Sequence, residues 1–180
     1  MASAAEGARR ERLFFALWPE PPLQETLARL ARRLVRKGGR RLAPEAIHLT
    51  LLFLGPVDAA TRACLEAAAQ AVAVPPFELA IDRTGTFPRA RVVWAGPSET
   101  PAPLARLEAA LREAAARCGL EPEVRPFVPH LTVARKAAPV PVSPLPEPLA
   151  WPVRDFVLAR SCLHPAGAEY EVLRRWPLRG

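Results

Sequence analysis

A four-residue phrase occurs twice in this chain and constrains its fold more than any other feature. His48-Leu49-Thr50-Leu51 and His130-Leu131-Thr132-Val133 lie 130 − 48 = 82 positions apart. Only 7 of the 180 residues are threonine, so chance does not account for this spacing after two of three histidines. Residues i and i+2 of a β-strand project from one face. Each phrase is therefore predicted to direct an imidazole and a hydroxyl the same way.

The segments before the two phrases repeat as well. An apolar strand and an amphipathic helix precede the first phrase, at residues 12–19 and 22–37, and the second, at 91–97 and 101–118. A duplicated strand–helix–strand unit predicts an α+β fold with two pseudo-symmetric lobes. Each lobe is expected to be an antiparallel sheet packed with helices. The lobes would flank a central cleft lined by the motif strands.

The remaining segments complete a single bilobal domain over residues 1–180. Asp58 is predicted to cap a helix at 59–72, and the chain is predicted to end in a hairpin of strands at 154–163 and 169–176. Residues 1–11 are polar and predict a flexible head. Six prolines between 139 and 152 predict an extended loop.

Composition excludes several classes of protein. Half of the residues are apolar, which is enough for a core, but no apolar run reaches the length of a membrane span. The N-terminal segment lacks the apolar core of a signal peptide. Cys64, Cys118 and Cys162 are odd in number and widely spaced, so we expect no disulfide framework and no zinc site. A cytoplasmic, membrane-free protein follows as the default.

The two phrases bring together groups suited to acid–base chemistry on an oxyanion. Imidazole titrates near neutral pH, so one histidine can accept a proton while the other donates one. The hydroxyls of Thr50 and Thr132 can donate hydrogen bonds to phosphate oxygens. A metal site is the competing hypothesis, but there is no third histidine nearby and no cluster of carboxylates at ligand spacing. The net charge of +7 favours a polyanionic partner such as RNA.

Taken with their flanking residues, the phrases resemble the signatures of a known family. Residues 43–55 around His48 and residues 127–135 around His130 are similar to the two motifs of the two-histidine (2H) phosphoesterases. Within that superfamily the chain resembles the RNA 2′,3′-cyclic phosphodiesterases, also called 2′-5′ RNA ligases. The opening strand, the strand at 91–94 and the closing hairpin match as well, so the resemblance covers nearly the whole chain.

The resemblance implies metal-independent hydrolysis of a terminal 2′,3′-cyclic phosphate on RNA to a 2′-phosphomonoester, with no cofactor. Ligation through a 2′-5′ bond is the implied reverse reaction. His48 would be the proton donor and His130 the proton acceptor, although nothing in the residues themselves distinguishes the two. Thr50, Thr132 and Arg135 would bind the phosphate. RNA ends, tRNA fragments among them, are the implied partners of a monomeric enzyme.

Several alternatives stay open from sequence alone. Strict alternation puts Arg135 on the apolar face of its strand, so it is either a phosphate ligand at a strand end or an exposed arginine. The basic residues at 36–41 either guide RNA or form a solvated loop. The substrate could instead be a small cyclic phosphate or another oligonucleotide end, or the cleft could grip RNA without catalysis.

Overall fold

The fold is built from nine strands and three helices within residues 10–180, the part of the chain that the computed structural model describes. The predicted head at 1–11 falls largely outside these residues, and Glu11 already begins the first strand. A single 3-10 turn occupies Pro44–Ala46. The elements in chain order are β1 (Glu11–Leu17), α1 (Pro21–Leu34), β2 (Arg40–Arg41), β3 (Leu49–Val57), α2 (Ala59–Gln70), β4 (Phe77–Phe87), β5 (Val92–Gly96), α3 (Ala102–Arg117), β6 (Leu131–Arg135), β7 (Ser143–Val153), β8 (Asp155–His164) and β9 (Gly167–Pro177).

The strand order shows the internal symmetry directly. The order is β7-β4-β5-β6-β3-β1-β8-β9, with β2 paired to β6 and every pairing antiparallel. The duplicated units β1-α1-β3 and β5-α3-β6 therefore occupy equivalent places on either side of the β3–β6 contact. The α+β class is confirmed. The two half-sheets form one sheet, joined in the middle by the single pair Leu49↔Leu131.

The helices form where the sequence predicts them, because each has one apolar stripe. Leu27 and Ala31 of α1 are fully buried, as are Leu104 and Leu111 of α3, in one cluster with the inward residues of the sheet. Asp58 caps α2 as expected, since its side chain accepts a hydrogen bond from the Thr61 amide at 2.8 Å. None of the helices among residues 10–180 has the length and apolar character that crossing a membrane requires.

The proline-rich segment is a strand rather than the predicted loop. Residues 143–153 form β7, which pairs with β4 through contacts such as Leu79↔Trp151 and Phe77↔Val153. The prediction at 139–152 was wrong because β7 is the outermost strand. Proline lacks an N–H group and is tolerated at a sheet edge, where that group would have no partner.

The cysteines also depart from the prediction. Cys64 in α2 and Cys118 at the end of α3 form a disulfide, while Cys162 in β8 is free. Packing of the two helices brings these Cα atoms to 5.8 Å, inside the range that a disulfide requires. The 54-residue separation gives no hint of this contact, because it depends on how two helices from different lobes meet.

Candidate active site

The two motifs meet where the half-sheets join. Leu49 of β3 pairs directly with Leu131 of β6. Continuing this register by one residue each way sets His48 opposite Thr132 and His130 opposite Thr50. In an antiparallel ladder, opposed Cβ atoms are about 5 Å apart and diagonal neighbours about 7–8 Å, so we expect the two histidines to stand at that diagonal spacing. From this register we expect the four groups to form a square, with each histidine opposite a threonine, of a size that suits one phosphate.

Each histidine lies one residue before its strand, not within it as predicted. This position lets the ring Nδ1 approach the carbonyl two residues earlier: His48 Nδ1 lies 2.8 Å from the Ala46 oxygen, and His130 Nδ1 lies 2.8 Å from the Val128 oxygen. A carbonyl can only accept, so Nδ1 carries the proton in both rings. The Nε2 atoms are left for proton transfer, and the backbone fixes both ring orientations.

Three aromatic side chains enclose His48. The Trp18 ring stacks on the imidazole with centroids 4.7 Å apart and planes 9° from parallel. Tyr170 meets the imidazole edge-on at 4.7 Å, and Phe14 lies 5.0 Å away. These rings belong to a second, smaller apolar cluster on the face of β1 and β8 opposite the main core. This face of β1 and β8 forms the base of the site on the His48 side.

His130 has a more open setting. Phe87 contacts its ring edge-on with a centroid distance of 4.9 Å, and the neighbouring Val128 is half exposed. The loop that carries His130 packs closely against β5 at Gly96, where a Cβ atom would lie 2.8 Å from the Pro129 oxygen. The structure therefore breaks the symmetry between the two histidines, which the sequence alone left equivalent.

Both histidines favour the neutral form. Burial lowers the pKa of His48 to about 4, and the positive charges of Arg135 and His130 act in the same direction, against the opposing hydrogen bond to Ala46. Burial also lowers the pKa of His130, again with help from Arg135. A bound phosphate anion would oppose these shifts, because it stabilises imidazolium.

Arg135 lies at the end of β6, and its charge acts on both histidines. It is exposed and pairs in register with Arg40 of β2 on one side and Val92 of β5 on the other. Lys136 follows with a φ of 53°, so the chain bends immediately after it. A cation within electrostatic range of both imidazoles is placed to attract an anion between them.

The other basic and histidine candidates contact other parts of the chain or are exposed. Arg41 donates to the Val35 carbonyl and Arg40 to the Ala166 carbonyl in the β8–β9 turn, while Arg36 and Lys37 are exposed. His164 is exposed beside Glu169, outside the square of histidines and threonines. Within residues 10–180, no group of three or more His, Cys, Asp or Glu side chains is arranged to hold a metal ion.

Sequence patterns missed the aromatic residues of the site. Phe14, Trp18 and Tyr170 come from β1, the segment after it, and β9, and Phe87 comes from β4. No spacing links them, because sheet pairing alone brings them to the histidines. The only available signal was Trp18, at the end of the first apolar run.

The chain is similar to known proteins over most of its length. A family model described as the 2′-5′ RNA ligase superfamily matches residues 19–164 of the chain. The RNA 2′,3′-cyclic phosphodiesterase of Escherichia coli (strain K12) is 35% identical over 170 residues, which cover 93% of this chain and 97% of that protein. The protein of the same name from Thermus thermophilus is 36% identical over 182 residues, covering 94% and 91%.

A solved structure shows the same similarity in three dimensions. The crystal structure of E. coli LigT complexed with 3′-AMP superposes with a TM-score of 0.86 at 34% sequence identity. The superposition covers 94% of this chain and 98% of that one. The similarity therefore extends over both lobes and the site between them.

Proposed function

Because the chain belongs to the 2′-5′ RNA ligase superfamily, we propose that it is a hydrolase that opens the terminal 2′,3′-cyclic phosphate of RNA to a 2′-phosphomonoester. The observation that carries the proposal is the single pair Leu49↔Leu131 that joins the half-sheets, because continuing its register sets His48 opposite Thr132 and His130 opposite Thr50. It offers two proton-transfer groups and two hydroxyl donors around one volume.

Each of the two histidines has one role in the reaction. His130 Nε2 accepts a proton from water as the water oxygen attacks phosphorus, and the bond from phosphorus to the 3′ oxygen breaks. His48 Nε2 donates a proton to that leaving oxygen. The two histidines thereby exchange protonation states over one turnover. The choice of His48 as the donor follows the family resemblance.

The remaining groups stabilise charge on the phosphate. Thr50 and Thr132 each stand opposite a histidine, so their hydroxyls can donate to the two non-bridging oxygens, where negative charge sits in the transition state. Arg135 adds a positive charge within range of both imidazoles. No step in this scheme needs a metal ion, since proton transfer and charge stabilisation both come from side chains.

The test is an assay of RNA with a 2′,3′-cyclic phosphate end in the presence of EDTA. We expect complete conversion to the 2′-phosphomonoester, identified by phosphorus NMR, at a rate that EDTA does not change. A 3′-phosphate product would reverse the assigned leaving group. Loss of turnover that zinc or magnesium restores would replace the two-histidine mechanism by a metal-dependent one.

The lowered pKa values predict an acid-shifted pH profile. A histidine that must donate a proton needs to be protonated, and burial holds the pKa of His48 at about 4 and that of His130 below 6.5 in the free protein. We expect kcat/KM to follow a bell with its maximum on the acid side of 6.5. Bound substrate carries a negative charge that raises both pKa values, so the bell for kcat should lie at higher pH. A kcat/KM profile that is flat between pH 4 and 8 would contradict this assignment.

We also propose that the protein acts as a cytoplasmic monomer, with tRNA fragments among its substrates. The monomer is supported by the site itself, because one chain supplies both histidines, both threonines and Arg135. RNA as the partner is supported by the net charge of +7.

The Cys64–Cys118 bridge is uncommon for a cytoplasmic protein. The bridged fraction, measured after thiols are trapped in intact cells, tests the cytoplasmic location. A mostly reduced pair supports this location, and a mostly bridged pair contradicts it.

A further inference from the structure

A cavity of about 700 Å³ adjoins the His48 side of the site. Trp18 forms part of its wall, and the same side chain stacks on the imidazole of His48. The start of α1 lines one side of the cavity, and the outer edge of β7 with the turn into β8 lines the other. Its volume lies within the range of sites that hold drug-sized ligands. None of the four histidine and threonine side chains lines it.

The direction of the proposed reaction places RNA on this side. His48 protonates the leaving 3′ oxygen, so the terminal ribose lies between the phosphate and His48. Attack and departure are in line, which leaves the His130 side to the water. The rest of the RNA continues from the 5′ oxygen of that ribose. Its path therefore runs past His48 and Trp18, toward the cavity.

The walls of the cavity suit a nucleotide. The partly exposed Trp18 ring supplies aromatic surface for a base, and the exposed Pro22 and Pro148 supply aliphatic surface. Glu20 is exposed at the rim, and its carboxylate can only accept hydrogen bonds, so it can pair with the amino group of a base. Arg154 is exposed at the opposite rim and can pair with a phosphodiester.

We infer that this cavity is a subsite for the nucleotide that precedes the cyclic-phosphate end, so that the protein distinguishes an RNA chain from a mononucleotide. Arg154 binds the phosphodiester that links the two nucleotides, and the base rests against the apolar wall. The inference rests on the proposed function and adds a substrate preference to it.

The experiment compares two substrates of increasing length. Adenosine 2′,3′-cyclic phosphate occupies only the catalytic square, whereas the dinucleotide ApA with a 2′,3′-cyclic phosphate end also reaches the cavity. We expect kcat/KM to be about tenfold higher for the dinucleotide, the effect of one base stacked on an aromatic side chain. The dinucleotide should also lose rate more steeply with salt, by a log–log slope of about 0.7 for one added phosphate contact.

Two variants and a control test whether the preference for the dinucleotide arises in this cavity. Ala150→Phe fills the cavity from the exposed face of β7 and should reduce the dinucleotide-to-mononucleotide ratio to about one. Arg154→Ala should abolish the difference in salt slope, and it tests the subsite even if Ala150→Phe misfolds. Ala60→Phe places the same ring on an exposed position of α2 and should keep the ratio of the wild type.

The outcomes separate the subsite from the reaction. Equal kcat/KM for the two substrates in the wild type overturns the subsite, while turnover of the mononucleotide still upholds the proposed hydrolysis. An unchanged ratio in Ala150→Phe, together with an unchanged salt slope in Arg154→Ala, also overturns the subsite. If the wild type converts neither substrate, the proposed function and the subsite fail together.

Discussion

Replacing either His48 or His130 by alanine should reduce turnover of a cyclic-phosphate RNA end by about 10³-fold while leaving RNA binding nearly intact. A single positioned acid or base contributes about 10²–10⁴ in rate, and each variant lacks one of the two. Thr50, Thr132 and Arg135 remain in both variants, so the groups that we propose bind the phosphate are unchanged. Single-turnover kinetics and a fluorescence binding assay measure the two quantities separately.

The double variant sharpens this prediction. When two groups act in one concerted step, removing either one already loses most of the rate that both contribute. The rate of the double variant should therefore fall little below that of the single variants. His164→Ala is the matched control, because His164 is exposed and lies outside the square. Near-wild-type turnover in either single variant would remove that histidine from the mechanism. Equal loss of binding and turnover would instead indicate a passive phosphate-binding cleft.

Reducing the Cys64–Cys118 bridge should lower the free energy of unfolding by about 4 kcal/mol. The bridge closes a loop between residues 54 positions apart, and constraint of the unfolded chain by a loop of that length has about this value. For a chain of this size the loss corresponds to a decrease in Tm of about 10 °C. Differential scanning calorimetry with and without reductant measures it directly.

Cysteine variants separate the bridge from the reductant. Cys64→Ser and Cys118→Ser should each reproduce the decrease in Tm and remove the sensitivity to reductant. Cys162→Ser is the control, since Cys162 is free in β8 and its loss should leave the reductant effect in place. The bridge joins two helices that pack on the main core, whereas the rings around His48 lie on the opposite face of the sheet, so turnover at 25 °C should persist after reduction. Identical melting curves in both redox states would show that the bridge does not stabilise the fold.

The sequence predicts best those features that depend on short spacing. The His-x-Thr phrases place imidazole and hydroxyl through the two-residue period of extended chain, and Asp58 caps α2 through a contact three residues away. Because the strand–helix–strand unit occurs twice, the same local patterns also predicted an arrangement of two similar lobes. The α+β class and the expectation that the two motifs lie together followed from it.

Features that depend on distant contacts were beyond the sequence patterns. The bridge between Cys64 and Cys118 needs two helices to meet. The Phe14 ring reaches His48 only after β1 has paired with β3, and the Tyr170 ring only after β9 has paired with β8. The strand β7 forms despite its prolines because nothing pairs with its outer side within the described part of the chain. In each case the determining quantity is a position in the sheet, which periodicity along the chain does not encode.

The prolines of β7 have a consequence for self-association. The outer side of this strand is one of the two ends of the sheet, and prolines occupy positions 144, 146, 148 and 152 along it. The exposed edge of β7 has few N–H donors, so a strand from another molecule could not form a full set of backbone hydrogen bonds with it. Concentrated protein is thereby protected from edge-to-edge growth on this side, and among residues 10–180 β9 at the opposite end remains as a template for a foreign strand.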